Sequence, residues 1–255
     1  MDAVESAWLD ALVARHTASL TRPELLKAIR ALSARYVERR HDLPGRSPLD
    51  SAGKRAAFAL FYAPLHYVTT QLIVRELPVR RAFSTIIDLG CGTGTASAAW
   101  ARSLDVAPAL RGVDRHPWAI DEASWTWRSL GLDGRARRGD LVEDARRLTA
   151  PRRAPDLRTT AILCAWSVNE LETEARDALL PLLVAAIDRG ATVLVVEPIA
   201  RSATPWWDAW STAVTGAGGR ADNWRFQVPL PPPLADLDEA AGFTREGLTA
   251  KSLWV

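Results

Sequence analysis

The residues best suited to chemistry in this 255-residue chain fall into two short clusters. The first is Asp88, Gly90, Cys91, Gly92 and Gly94, in the run IIDLGCGTG. Glycines separated by single residues let a backbone approach a ligand closely, and a helix that starts just after them points its free amides at the same place. The second is Trp166, Ser167, Asn169 and Glu170, in the run WSVNEL. An amide and a carboxylate side by side suit orienting a nucleophile and taking its proton. Asn169 and Glu170 are therefore the candidate catalytic pair, with Trp166 and Ser167 placed toward the bound ligand.

Charge decides what the glycine loop holds. A fixed carboxylate opposes a pyrophosphate, so Asp88 argues for a ligand with an ammonium group, and the G-x-G-x-x-G spacing of dinucleotide sites is absent. S-adenosylmethionine (SAM) carries an ammonium and a sulfonium and no phosphate. The glycines then serve close backbone approach, and Cys91 lies inside the same loop.

The elements that must position these clusters can be read from periodicity. Thr85 to Leu89 is a β-branched, apolar strand that stops at the glycines, and Thr95 to Arg102 is free of helix breakers. A second strand, Leu110 to Val113, ends at Asp114, about twenty residues after the loop, where a carboxylate can accept from both ribose hydroxyls. Arg115 follows and can lay its guanidinium on adenine. Pro117 to Leu130 is a helix with Trp118, Trp125 and Trp127 packed inside. Thr160 to Trp166 is a fourth strand that delivers the second cluster, a helix over 172–189 follows, and Ala191 to Val196 is a fifth strand ending in Glu197-Pro198. Thr249 to Val255 closes the sheet as an antiparallel strand, after an extended, proline-rich connector over 228–234 and a short helix over 235–241. Alternating strands and helices imply an α/β fold with a doubly wound, mostly parallel sheet. Residues 1 to 80 read as helical instead: a capping box at Thr21 and Glu24 starts a helix toward residue 40, 41–50 is a loop, and a third helix from Ser51 is kinked by Pro64. The expected organisation is a helical cap over 1–80 and a ligand-binding domain over 81–255.

Asp88, Gly90, Gly92, Gly94 and Asp114 in this order resemble the first motifs of the class I SAM-dependent methyltransferases. The resemblance implies a Rossmann-like, seven-stranded sheet and SAM as cofactor. It also implies that Asp140, after the third strand, receives the adenine amino group while Leu141 offers its backbone N–H to the ring. The helical leader is similar to the lid helices of that superfamily, which makes Tyr62 and His66, with Tyr67, candidates for the substrate side, as an aromatic, polar-tipped cluster suits a partly wet pocket. Trp206 and Trp207, in PWWDAW, can stack on a flat acceptor. S-V-N-E-L followed by helix, strand and E-P also resembles the methyltransferase-like family of the mitochondrial and bacterial small ribosomal subunit. That family's iron–sulfur cysteines are missing here, because Cys91 and Cys164 are the only two.

Composition narrows the classes further. With 48% hydrophobic and 24% charged residues the chain is an ordinary globular one. Two cysteines leave no disulfide framework or four-cysteine metal site. No run of eighteen apolar residues and no basic leader is present, so neither a membrane partner nor export is expected, and the cytoplasm is the expected location. Net charge is +2, yet Arg135, Arg137, Arg138, Arg146, Arg147, Arg152 and Arg153 crowd one stretch. Three functions fit: methylation of a small molecule or natural-product precursor, methylation of RNA or a ribosomal subunit, and a non-catalytic, SAM-binding assembly factor. Oligomeric state and acceptor are not encoded in these patterns.

Overall fold

The computed structural model describes residues 1–18, 20–37, 49–78, 82–150, 157–243 and 245–255. Its sheet has seven strands: β1 (Thr85–Leu89), β2 (Ala109–Asp114), β3 (Gly134–Arg138), β4 (Thr160–Ala165), β5 (Thr192–Glu197), β6 (Arg220–Phe226) and β7 (Leu248–Trp254), in the order β3-β2-β1-β4-β5-β7-β6. Strands β1 to β5 run parallel, and β7 runs antiparallel between β5 and β6. The chain therefore reverses its winding direction between β1 and β4, where open α/β sheets bind ligands beyond the carboxyl ends of their strands.

Alternation along each strand splits the core into two layers. Ile86, Leu110, Ala161, Leu163, Leu194 and Val196 face one way, toward α1 (Ala3–Thr17), α2 (Arg22–Val37), α4 (Ala63–Glu76), α5 (Thr95–Arg102), α6 (Pro117–Ser129) and α10 (Pro232–Ala240). Leu89, Val113, Ile162, Cys164, Val193 and Val195 face the other, toward α7 (Leu141–Thr149), α8 (Thr173–Asp188) and α9 (Trp207–Gly216). Both faces are covered, as a parallel sheet requires.

The N-terminal helices share the first layer's core. Ion pairs fasten them to it: Arg15 Nη2 reaches Glu122 Oε1 at 2.8 Å and His16 Nε2 reaches Oε2 at 3.0 Å, joining α1 to α6. Glu5 is buried, accepting from Tyr67 Oη at 2.7 Å and Gln71 Nε2 at 2.6 Å. Tyr67 is thus a core residue that satisfies a buried carboxylate and has no exposed face to offer a substrate. The expected boundary at residues 80 and 81 and most of the expected 41–50 loop lie outside the described residues.

The third helix is irregular just before Pro64. A π-helical turn, Phe58–Tyr62, sits between α3 (Ala52–Ala57) and α4, and Ala63 N–H donates to Phe58 O across it. Such turns commonly accompany functional sites. Ala52–Glu76 is 25 residues long and contains an 18-residue stretch of mean hydropathy 1.3, enough by length and composition to cross a membrane, but most of that stretch is buried in the core.

Two elements differ from the sequence expectation. Strand β6 carries the polar run RADNWRF, and only Trp224 and Phe226 pack inward among its residues, so apolar alternation does not reveal it. Helix α10 starts at Pro232, three residues earlier than expected, because prolines fit the first helical turn, where an N–H has no partner anyway.

Candidate active site

The glycine loop is built tightly. Gly90 and Cys91 donate their N–H groups to Val113 O at 2.9 and 3.0 Å, which ties the loop to the end of β2. Gly90, Gly92 and Gly94 all have positive φ, between 50° and 79°. At Gly90 a Cβ would lie 2.6 Å from Ser167 Cβ, and at Gly94 it would lie 2.6 Å from Trp127 Nε1, whereas the space beside Gly92 is open. Trp127 Nε1 donates to Gly94 O at 2.8 Å, and its ring also lies against Gly112 and Gly134. The loop is thus shaped from below by one indole.

Asp88 lies beneath this loop, 1% exposed. Its Oδ2 has no hydrogen-bond partner among the described residues, and neither does the buried Thr93 Oγ1 within the loop. Burial pushes the Asp88 pKa up to about 7, with Ser97 hydrogen bonds pulling the other way. An uncompensated buried carboxylate is costly, and a cationic ligand group would offset that cost. These two orphan oxygens and the open flank of Gly92 fit the ammonium-bearing end of SAM. Thr93 and Ser97 escape sequence reading because nothing in their type separates them from ordinary helix-start residues.

At the β2 tip Asp114 is held by both oxygens: Oδ2 accepts from Gly92 N at 2.9 Å and Oδ1 from His116 N at 2.8 Å. Asp140 caps α7, its Oδ1 accepting from Val142 N at 2.9 Å and Glu143 N at 3.1 Å, while its Oδ2 receives Arg115. Arg115 is therefore paired with the carboxylate that caps α7. Leu141 packs into the second layer, close against Gly90. Asp88, the glycines, Asp114 and Asp140 are all brought to one edge of the sheet, at the carboxyl ends of β1, β2 and β3.

The β4 tip holds the second cluster. Trp166 has φ 52°, alone among the described non-glycine residues in being positive, and a bulky residue there costs on the order of 1 to 3 kcal/mol. Its ring lies flat on His66 from α4, centroids 3.8 Å apart and planes within 4°. Burial, with the Arg245 charge, lowers the His66 pKa to about 3, so this imidazole is neutral. Ser167 Oγ donates to Leu89 O at 2.9 Å, closing the tip against the glycine loop.

Asn169 turns inward. With its amide nitrogen assigned to the side that faces acceptors, Nδ2 donates to Glu197 Oε2 and to Trp166 O, each at 3.0 Å. Glu197, the last residue of β5, is completely buried and accepts at Oε1 from Val168 N at 2.9 Å and Asn169 N at 3.2 Å. Burial raises its pKa to about 8, offset in part by these amides. The E-P pair in the sequence assigns Glu197 no chemical role. A lone carboxylate closing the apolar run TVLVVE is the signal that marks it.

Tyr62 and His66 stand together in an aromatic group with Phe58, on the same layer as Trp166. Trp206 and Trp207 belong to the other layer. Their faces already carry cations: Arg176 lies 5.8 Å from the Trp206 centroid and Lys251 lies 4.4 Å from that of Trp207. Lys251 stands opposite Glu197 across β5 and β7 and is itself buried. The structure thus does not bring the two tryptophans to the Tyr62–His66 group.

Residues 66–149 match the family model described as methyltransferase small domain. Among solved structures, an O-methyltransferase family protein from Burkholderia thailandensis aligns with 15% identity over 90% of this chain and 70% of its own, at a TM-score of 0.54. The mitomycin 7-O-methyltransferase MmcR aligns with 12% identity over 100% of this chain and 75% of its own, at a TM-score of 0.52. No curated protein sequence matches the chain. The fold is that of the class I methyltransferases, and the residues matched by the family model include the glycine loop and Asp114.

Proposed function

We propose that this protein transfers the methyl group of SAM to a small-molecule acceptor. The observation that carries the reading is the buried, unpartnered Asp88 Oδ2 beneath a positive-φ glycine loop, with Asp114 fixed at the next strand tip. Asp88 would hold the ammonium of the methionine end, Gly92 would allow close backbone approach, and Asp114 and Asp140 would take the ribose and adenine sides. Bound SAM supplies a methyl carbon already activated by its sulfonium. What remains for the chain is alignment of the acceptor and removal of its proton. Glu170 is the carboxylate of the β4 tip that is not enclosed, and we assign it the proton. SAM held at the glycine loop would supply the methyl group, its sulfur keeping the electron pair of the carbon–sulfur bond as S-adenosylhomocysteine is released.

The wall of Phe58, Tyr62, His66 and Trp166 beside that tip supports a small, flat or apolar acceptor. One observation favours RNA instead: Arg111 of β2 stands directly opposite Arg135 of β3, and both are exposed, although like charges so placed repel. Arg152 and Arg153 of the same stretch lie outside the described residues.

Titration calorimetry with SAM and S-adenosylhomocysteine tests the central reading, which fails if the folded protein binds neither. Methyl transfer from labelled SAM to small phenols and amines, beside total RNA, then separates the acceptors. RNA affinity that falls steeply with salt and loses slope in Arg111→Ala with Arg135→Ala would move the assignment to RNA.

A further inference from the structure

Trp166 keeps an unfavourable backbone conformation, so something must hold it. Its N–H donates to Val196 O at 2.7 Å, which anchors one side to β5. On the other side its carbonyl is met by Asn169 Nδ2, whose second acceptor is Glu197 Oε2. Glu197 Oε1 gathers the amides of Val168 and Asn169, so one buried carboxylate accepts from three N–H groups of the turn that begins at Trp166. If Asn169 faced an acceptor, its nitrogen would abandon both Trp166 O and a fully buried carboxylate, leaving two polar groups without partners.

We propose that Glu197 and Asn169 are positioning residues that clamp the 166–170 turn, fixing Trp166 against His66 of the helical cap and Ser167 against the glycine loop. This rests on the β4 tip being the acceptor side of the site. The clamp links three distant segments: the cap through His66, the catalytic turn through Trp166, and the end of β5 through Glu197. Its consequence is that the acceptor wall and the floor of the cofactor loop are set by one turn, since Ser167 Cβ occupies the space that a Cβ on Gly90 would need.

The test reads the stack directly. Protons of an imidazole lying flat on an indole are shifted upfield by its ring current, and His66→Gln identifies the His66 signals among the four histidines. Asn169→Ala should return those signals toward the values of an unstacked histidine and weaken S-adenosylhomocysteine binding at least tenfold. Glu197→Gln preserves volume and the Oε1 acceptor, yet presents an amide to the Asn169 nitrogen, and should produce the same loss of shift if Asn169→Ala does not fold. Asn169→Asp, which cannot supply two N–H donors, should behave like the alanine variant. Unchanged His66 signals in folded Asn169→Ala or Glu197→Gln overturn the clamp. If the wild-type protein binds no S-adenosylhomocysteine, the methyltransferase reading falls, while the His66 signals still decide this one.

Discussion

At the β1–β2 end of the site, the contacts join the glycine loop to the β2 tip and α6, and the β2 tip to the start of α7: Asp114 with Gly92, Gly94 with Trp127, and Arg115 with Asp140. At the β4–β5 end the partners come from the cap, from the β4 tip and from the end of β5, and Ser167 reaches back 78 residues to Leu89. Backbone shape dominates the first end, where glycines make room for one another's neighbours. Side-chain contacts dominate the second, where a tryptophan is forced into a conformation that suits glycine.

The comparison breaks most sharply at Gly94. A methyl group there meets the Trp127 ring at 2.6 Å and must adopt φ 72°. Gly94→Ala should destabilise the fold by on the order of 3 kcal/mol and abolish SAM binding, read by urea unfolding and calorimetry. Adding Trp127→Ala should recover part of that loss, a non-additivity expected of residues in contact. Additive losses would mean that the indole does not shape the loop.

Asp114→Ala comes next. It removes the acceptor for Gly92 N and His116 N together with the proposed ribose contacts, so SAM affinity should fall by about a hundredfold, roughly 3 kcal/mol for hydrogen bonds to a charged group. Thermal stability should change much less. A fall confined to stability would place Asp114 in the scaffold alone.

Asp88 gives a pH signature of intermediate size. Its pKa is raised from 3.8 to about 7, so between those values the folded protein keeps a proton that the unfolded chain has released. Its burial therefore leaves the ligand-free protein less stable as pH rises from about 4 to 7, and the penalty is complete above that. An ammonium ligand favours the charged form, so SAM affinity should decline by up to about tenfold per pH unit below 7, with proton release seen as buffer-dependent heats. Asp88→Asn should flatten the profile. A wild-type affinity that does not change between pH 5 and 7 would show that no cation meets this carboxylate.

The same division explains what the sequence discloses. Strands β1, β2, β4, β5 and β7, the glycine loop and Asp114 are legible because buried strands carry apolar and β-branched residues between turn signals and because positive φ at close quarters demands glycine. Strand β6 is not, as an edge strand with RADNWRF follows solvent on one side and gains its place from pairing with β7. The aromatic wall is half legible: residue types nominate Tyr62 and His66, yet no local pattern pairs His66 with Trp166. Trp206 and Trp207 show the converse, since a tryptophan pair reads the same whether its faces await a ligand or already cover Arg176 and Lys251. Glu197 is visible in retrospect as a charge in an apolar strand, but its partners are fixed only when β4 and β5 lie side by side.

The smallest expected effect concerns Arg115, which tests how far the cofactor half is settled by nearest neighbours. In the structure its guanidinium is exposed and bound to Asp140, an arrangement that lowers the Asp140 pKa against the opposing effect of burial. Exposed pairs of this kind are worth less than about 1 kcal/mol, and Asp140 keeps its two α7 amides without the arginine. Arg115→Ala should therefore weaken SAM binding less than about fivefold, with a loss that shrinks further in high salt. A guanidinium lying on the adenine face would behave differently, because stacking in a partly dry site is worth more and resists salt. A loss of twentyfold or more that persists in high salt would show that Arg115 leaves Asp140 for the adenine when the cofactor binds, so that the half of the site shaped by the glycine backbone also rearranges around its ligand.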